Sequence, residues 1–170
     1  MSQIKFTEDL IAPCGMNCGI CKVYLAYSHS VPKERGKVSH CSGCRVRGKN
    51  CAFIKRDCPR KVGSQIASCA QCPEMPCQQL SHLDEHYHVR YGMSMVENLK
   101  QIQVQGVKAF LKSQQAKYRC PSCGDVVSVH DGKCYACGYQ GQTPLKKVGK
   151  AQWDKARWVP NKNRLKRPLA

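Results

Sequence analysis

A chain of 170 residues is long enough for one or two domains, yet it carries 14 cysteines against three Phe and two Trp, and its formal net charge is +17. No run of about 18 apolar residues occurs, which argues against a helical membrane span. Residues 1–11 mix charged with apolar side chains, unlike a secretion signal, so the cysteines read as metal ligands in a reducing, cytoplasmic setting rather than as a disulfide scaffold.

In chain order, the first thiols are Cys14, Cys18 and Cys21. Cys18, Cys21 and Leu25 stand at i, i+3 and i+7, which predicts a short helix with thiols on one face. A loop with Pro32 and Gly36 leads to the knuckle Cys41-Ser-Gly-Cys44, then to a basic run from Arg45 to Lys61 that holds Cys51 and Cys58 and has no predictable regular structure. A second knuckle, Cys69-Ala-Gln-Cys72, is followed closely by Cys77, and Pro76 marks a helix start that runs to about Arg90. These segments form a cysteine-rich metal-binding domain over residues 10–92. Its ten thiols suit two four-cysteine sites with two left over, or one such site plus an iron-sulfur cluster, and spacing leaves the grouping open. His40, beside Cys41, is a candidate to support a ligand or replace one. His82 and His86 lack the HExxH pattern and read as a polar helix face.

A helical connector follows over residues 93–118. Ser94 and Glu97 have the form of a capping box, and Val96, Leu99, Ile102, Val107, Phe110 and Leu111 keep a helical stripe. Gly106 interrupts the stripe, so one helix and two short helices are both compatible with it. Residues 119–143 read as a zinc ribbon. Cys120 and Cys123 form one CxxC pair and Cys134 and Cys137 another, separated by a Val-rich strand and an Asp131-Gly132 hairpin turn. Two such knuckles make a closed four-sulfur site, structural rather than catalytic.

The final segment, 144–170, is a basic extended tail. From residue 145 onward it carries nine Lys or Arg against Asp154 alone. Lys146, Lys147, Lys150, Lys155, Arg157, Lys162, Arg164, Lys166 and Arg167 could displace counterions from phosphates, and Trp153 and Trp158 could stack on unpaired bases. Three four-thiolate zinc sites would still leave a charge of about +11, so the basic excess survives metal binding.

The sequence Ala-Pro-Cys14-Gly-Met-Asn-Cys18-Gly-Ile-Cys21, then Cys41-Ser-Gly-Cys44, then Cys69-Ala-Gln-Cys72-Pro-Glu-Met-Pro-Cys77-Gln-Gln-Leu80 resembles a cysteine-rich prokaryotic family known as domain of unknown function three-seven-nine-five. Over roughly residues 10 to 140, the resemblance extends through Asn98-Leu99-Lys100, Gly106-Val107 and the ribbon. It implies a zinc-binding cytoplasmic protein with no established activity. Cys14, Cys18 and Cys21 also have the spacing by which radical S-adenosylmethionine enzymes hold a four-iron cluster, but the length and pattern here do not accommodate their partial barrel. The run from Cys41 to Cys58 is similar to the opening of the fungal two-zinc, six-cysteine cluster and departs from it at Lys61, where a partner thiol is needed.

The expectation is therefore a small α+β, metal-stabilised architecture: a knuckle-and-helix domain, a helical connector, a zinc ribbon and a basic tail, with two or three zinc ions. The reading that follows is a non-enzymatic binding module whose tail engages nucleic acid, RNA or a ribonucleoprotein. An iron-sulfur or redox protein and a protein-interaction scaffold are the alternatives. Nucleophile elbows, phosphate loops and paired-carboxylate sites are not found in the sequence.

Overall fold

The computed structural model describes residues 4–47, 54, 58–60 and 65–141. Cys51 and the tail candidates from Lys146 to Arg167 lie outside the described residues. Among those described, the fold is helix-rich, and strand pairing is reduced to isolated bridges rather than the sheet that an α+β class implies. Three of those bridges lie in the ribbon, where the two CxxC pairs stand only ten residues apart.

After a 3-10 turn at Glu8–Leu10, a bridge between Ile11 and Asn17 closes the loop that carries Cys14. The loop is pinned by Ala12 N to Met16 O at 2.8 Å and Gly15 N to Ala12 O at 2.9 Å. Gly15 has φ +87°, and a Cβ there would stand 2.7 Å from both Leu99 Cγ and Met95 O. Only glycine meets both demands. Asn17 is fully buried and accepts from Gly19 N at 2.9 Å, which caps a 3-10 turn at Cys18–Ile20. Helix α1 (Lys22–Ser28) starts immediately after Cys21. The helix expected to run through Cys18, Cys21 and Leu25 is thus divided, because the Asn17 cap selects the tighter turn for its first part.

Helix α2 (Cys44–Arg47) is a single turn. A 3-10 turn at Cys69–Gln71, capped by Ser68, precedes α3 (Gln78–Tyr91), whose N-cap is Cys77 and whose C-cap is left-handed Gly92. The chain then enters α4 (Met95–Lys117). Ser94 Oγ accepts from Glu97 N at 3.0 Å, as a capping residue should. The second half of the cap comes from Asp84 on α3, whose Oδ1 accepts from Ser94 Oγ at 2.7 Å and from Val96 N at 2.9 Å. Glu97 instead pairs with Lys100 at 3.2 Å. Gly106, at φ 81° and ψ 162°, breaks α4 into two helical halves.

One buried cluster joins these parts. Leu10, Met16, Ile20 and Leu25 meet Leu80, Met93, Met95 and Leu99, and Val126 and Val129 of the ribbon insert among them. Cys14, Cys18 and Cys69 are full members of this core. Each large aliphatic buried this way contributes about 1.5–3 kcal/mol. A smaller cluster of Ile11, Phe110 and Leu111 holds the second half of α4 against the N-terminal turn.

Candidate metal centre

The four ribbon cysteines come together. Cys120 Sγ lies 3.7 Å from Cys137 Sγ and Cys123 Sγ lies 3.6 Å from Cys134 Sγ. All four sulfurs are mutually within 4.8 Å. Four thiolates around one tetrahedral ion with a metal–sulfur bond of about 2.3 Å would sit about 3.8 Å apart, so the spacing already suits an ion of zinc's size. Two similar turns achieve it. Gly124 N bonds Cys120 O and Gly138 N bonds Cys134 O, both at 2.9 Å, with Gly124 and Gly138 in left-handed conformations at φ 79° and 77°. Those turns aim amides at sulfur: Asp125 donates to Cys123, Tyr139 to Cys137, and Ala136 and Cys137 to Cys134. Burial raises the Cys134 thiol, whereas the Tyr139 amide lowers that of Cys137. Amides directed at sulfur favour the thiolate that a metal requires.

Bridges between Arg119 and Val126, Val127 and Cys134, and Lys133 and Gln140 build the hairpin around this site. Gly132 N returns to Ser128 O at 2.9 Å, which makes the turn anticipated at Asp131-Gly132. Val129 N donates to Ile20 O at 3.0 Å, so the ribbon is attached to the 3-10 turn that bears Cys18.

The N-terminal thiols are closely packed without converging as the ribbon does; among the described residues, the ribbon alone forms a compact group of sulfurs. The Cys41–Cys44 knuckle docks on the segment that carries Cys18 and Cys21. Cys44 N donates to Cys18 Sγ at 3.3 Å, and Cys41 N donates to Val23 O at 3.1 Å. Cys21 receives the amides of Val23 and Tyr24, and Cys14 that of Met16, the same use of following amides as in the ribbon. Burial pushes Cys18 up to about 12 and also raises Cys14 and Cys21. Among the described residues, the cysteines other than Cys44 are free thiols. Of the thiols in and beside the second knuckle, Cys69 is buried and Cys58, Cys72 and Cys77 are half-buried.

Histidines surround these sites without joining them. His40 Nε2 lies 2.6 Å from Val31 O and its ring meets Tyr27 edge-on. His130 lies against Tyr87 and Tyr91, with Lys22 N 3.4 Å from its Nδ1, and burial lowers its pKa to about 4. Three polar supports have no readable signature in the sequence. His29 Nε2 stands 3.0 Å from Asp125 Oδ2, Ile4 N donates to Asp125 Oδ1 at 3.1 Å, and Arg60 Nε bonds Glu74 Oε1 at 3.1 Å. Each links segments far apart in the chain, so no local pattern records it.

Residues 10–82 match the model of a family described as protein of unknown function (DUF3795). The DUF3795 match takes in all ten N-terminal cysteines and ends within α3; α4 and the ribbon follow it. No curated protein and no solved structure matches the chain. Among the described residues, no helix is long and apolar enough to cross a membrane.

Proposed function

We propose that the chain is a zinc-stabilised, non-enzymatic binding module in which Cys120, Cys123, Cys134 and Cys137 hold one structural zinc ion. The mutual approach of those four sulfurs within 4.8 Å carries this reading. Four protein sulfurs leave no position open for water or substrate, so the site supports structure rather than hydrolysis. Zinc is favoured over calcium or magnesium because thiolates are soft donors. Cobalt(II) titration tests this directly: the full chain should give the intense thiolate-to-cobalt absorption of a tetrahedral site. Cys123→Ser with Cys137→Ser should remove one equivalent of it. A double variant with undiminished cobalt absorption would sink the reading.

The module's partner, in this proposal, is nucleic acid, most simply RNA or a ribonucleoprotein surface. Support comes from the sequence of the tail, where nine basic residues are interleaved with Trp153 and Trp158. Affinity for single-stranded RNA should fall steeply with added salt and disappear on truncation after Pro144. Salt-independent binding, or binding that survives truncation, would exclude the tail as the binding element; nuclease-resistant capture of a protein would favour the scaffold alternative.

A further inference from the structure

Three tyrosines from three elements converge where the ribbon meets the ends of α3 and α4. Tyr91 closes α3, Tyr118 is the C-cap of α4 and Tyr139 follows the second CxxC pair, and together they line a cavity of about 330 Å³. That is the small end of the range for ligand pockets, room for one nucleoside. Backbone bonds fix its walls: Val127 N donates to Tyr118 O at 2.8 Å, Cys134 N to Tyr139 O at 2.8 Å and Gly141 N to Gly132 O at 2.9 Å. The Tyr91 ring is held in turn by the rings of His130 and Tyr87, whose centres lie 4.8 Å and 5.1 Å away. Aromatic walls set in advance suit a flat ring, since stacking then costs little side-chain freedom.

Charge narrows the ligand further. Lys117 and Arg119, both exposed, stand on the rim, and no Asp or Glu lines the cavity among the described residues. The C-termini of α3 and α4 end here with about half a negative charge each, which the two full positive charges outweigh. Such a rim disfavours a cationic occupant, the basic tail itself included, and attracts an anion attached to a flat ring. Gly141 lies on the same rim, and the sequence runs on from it into the tail with its nine basic residues. We propose that this cavity takes one unstacked base of a single-stranded RNA, with the adjoining phosphate at Lys117 and Arg119. The proposal rests on the RNA-binding reading above and adds to it a contact on the folded body, one that holds a base as well as the backbone.

Photocrosslinking on the zinc-loaded full-length chain tests it, with a single-stranded oligouridylate carrying 5-iodouridine as the probe. Crosslinks should map to the peptides of Tyr118 or Tyr139, and should persist in Trp153→Ala with Trp158→Ala, which alters the tail alone. Tyr139→Leu should weaken binding of the same strand at least about fivefold. Lys117→Gln with Arg119→Gln should lower its salt slope by about 1 to 2. The crosslinks on the unaltered chain decide the matter whether or not these variants fold. A strand that binds but crosslinks only in the tail overturns this inference and leaves the tail reading standing; a strand that does not bind at all overturns both. Crosslinking of the cavity by 5-iodouridine monophosphate but not by the oligonucleotide would make it a site for free nucleotides, and also overturns the inference.

Discussion

At the scale of single residues, two positions show how tightly the thiol-bearing loops are held. Gly15 combines a left-handed backbone with direct approach to Leu99 and Met95 O. Gly15→Ala should therefore cost about 2–4 kcal/mol, from backbone strain plus overpacking, read as a lowered urea midpoint. A loss below about 1 kcal/mol would mean that the loop relaxes away from α4. His130 makes a different prediction. Burial lowers its folded pKa from 6.5 to about 4, so the unfolded chain takes up a proton that the folded chain refuses. Its contribution is complete above about 6.5 and is lost as pH falls toward about 4, on the order of 3 kcal/mol across that window. His130→Gln should lose less stability than the unaltered chain over that range in urea titrations at matched zinc; parallel losses would contradict the assignment.

At the scale of elements, the α3–α4 junction depends on a cap shared between helices. Asp84 accepts from both Ser94 Oγ and Val96 N, so Asp84→Ala should cost about 1 kcal/mol, and Ser94→Ala should cost less once Asp84 is gone. Strict additivity in that double-mutant cycle would show that the two caps act separately. The capping serine, the α3 helix and the ribbon knuckles were legible in the sequence because each is a local pattern: a polar residue before a helical stripe, or a pair of cysteines around a turn. Asp84 was not, since it lies ten residues before Ser94 and belongs to another helix. The expected helix through Cys18 and Leu25 failed for a related reason: periodicity was read correctly, but the buried Asn17 cap imposes a 3-10 start. The Arg60–Glu74 pair and the contact of Cys44 N with Cys18 Sγ were equally hidden, because both are tertiary.

At the scale of the whole molecule, the ribbon is joined to the DUF3795 segment rather than appended to it. Val126 and Val129 share a core with Ile20 and Leu99, Val129 N bonds Ile20 O, and Asp125 contacts Ile4 and His29. Loss of the ribbon metal should accordingly be felt beyond the hairpin. Chelation should speed hydrogen exchange at Val129 and at the amides of Ile20 and Leu25 together; exchange confined to residues 119–141 would show that the two parts are energetically independent. The expected sheet did not form among the described residues, and cysteines take core positions that larger apolar side chains would otherwise fill. A metal ion at the ribbon is therefore the centre of the proposed function.

Metal analysis of the full chain, purified without oxygen or added metal, tests that centre most directly. The expected result is zinc held by the ribbon cysteines, at one or more ions per chain, in colourless protein. Protein that is fully folded with no bound metal, or that carries iron and labile sulfide in place of zinc, would contradict it.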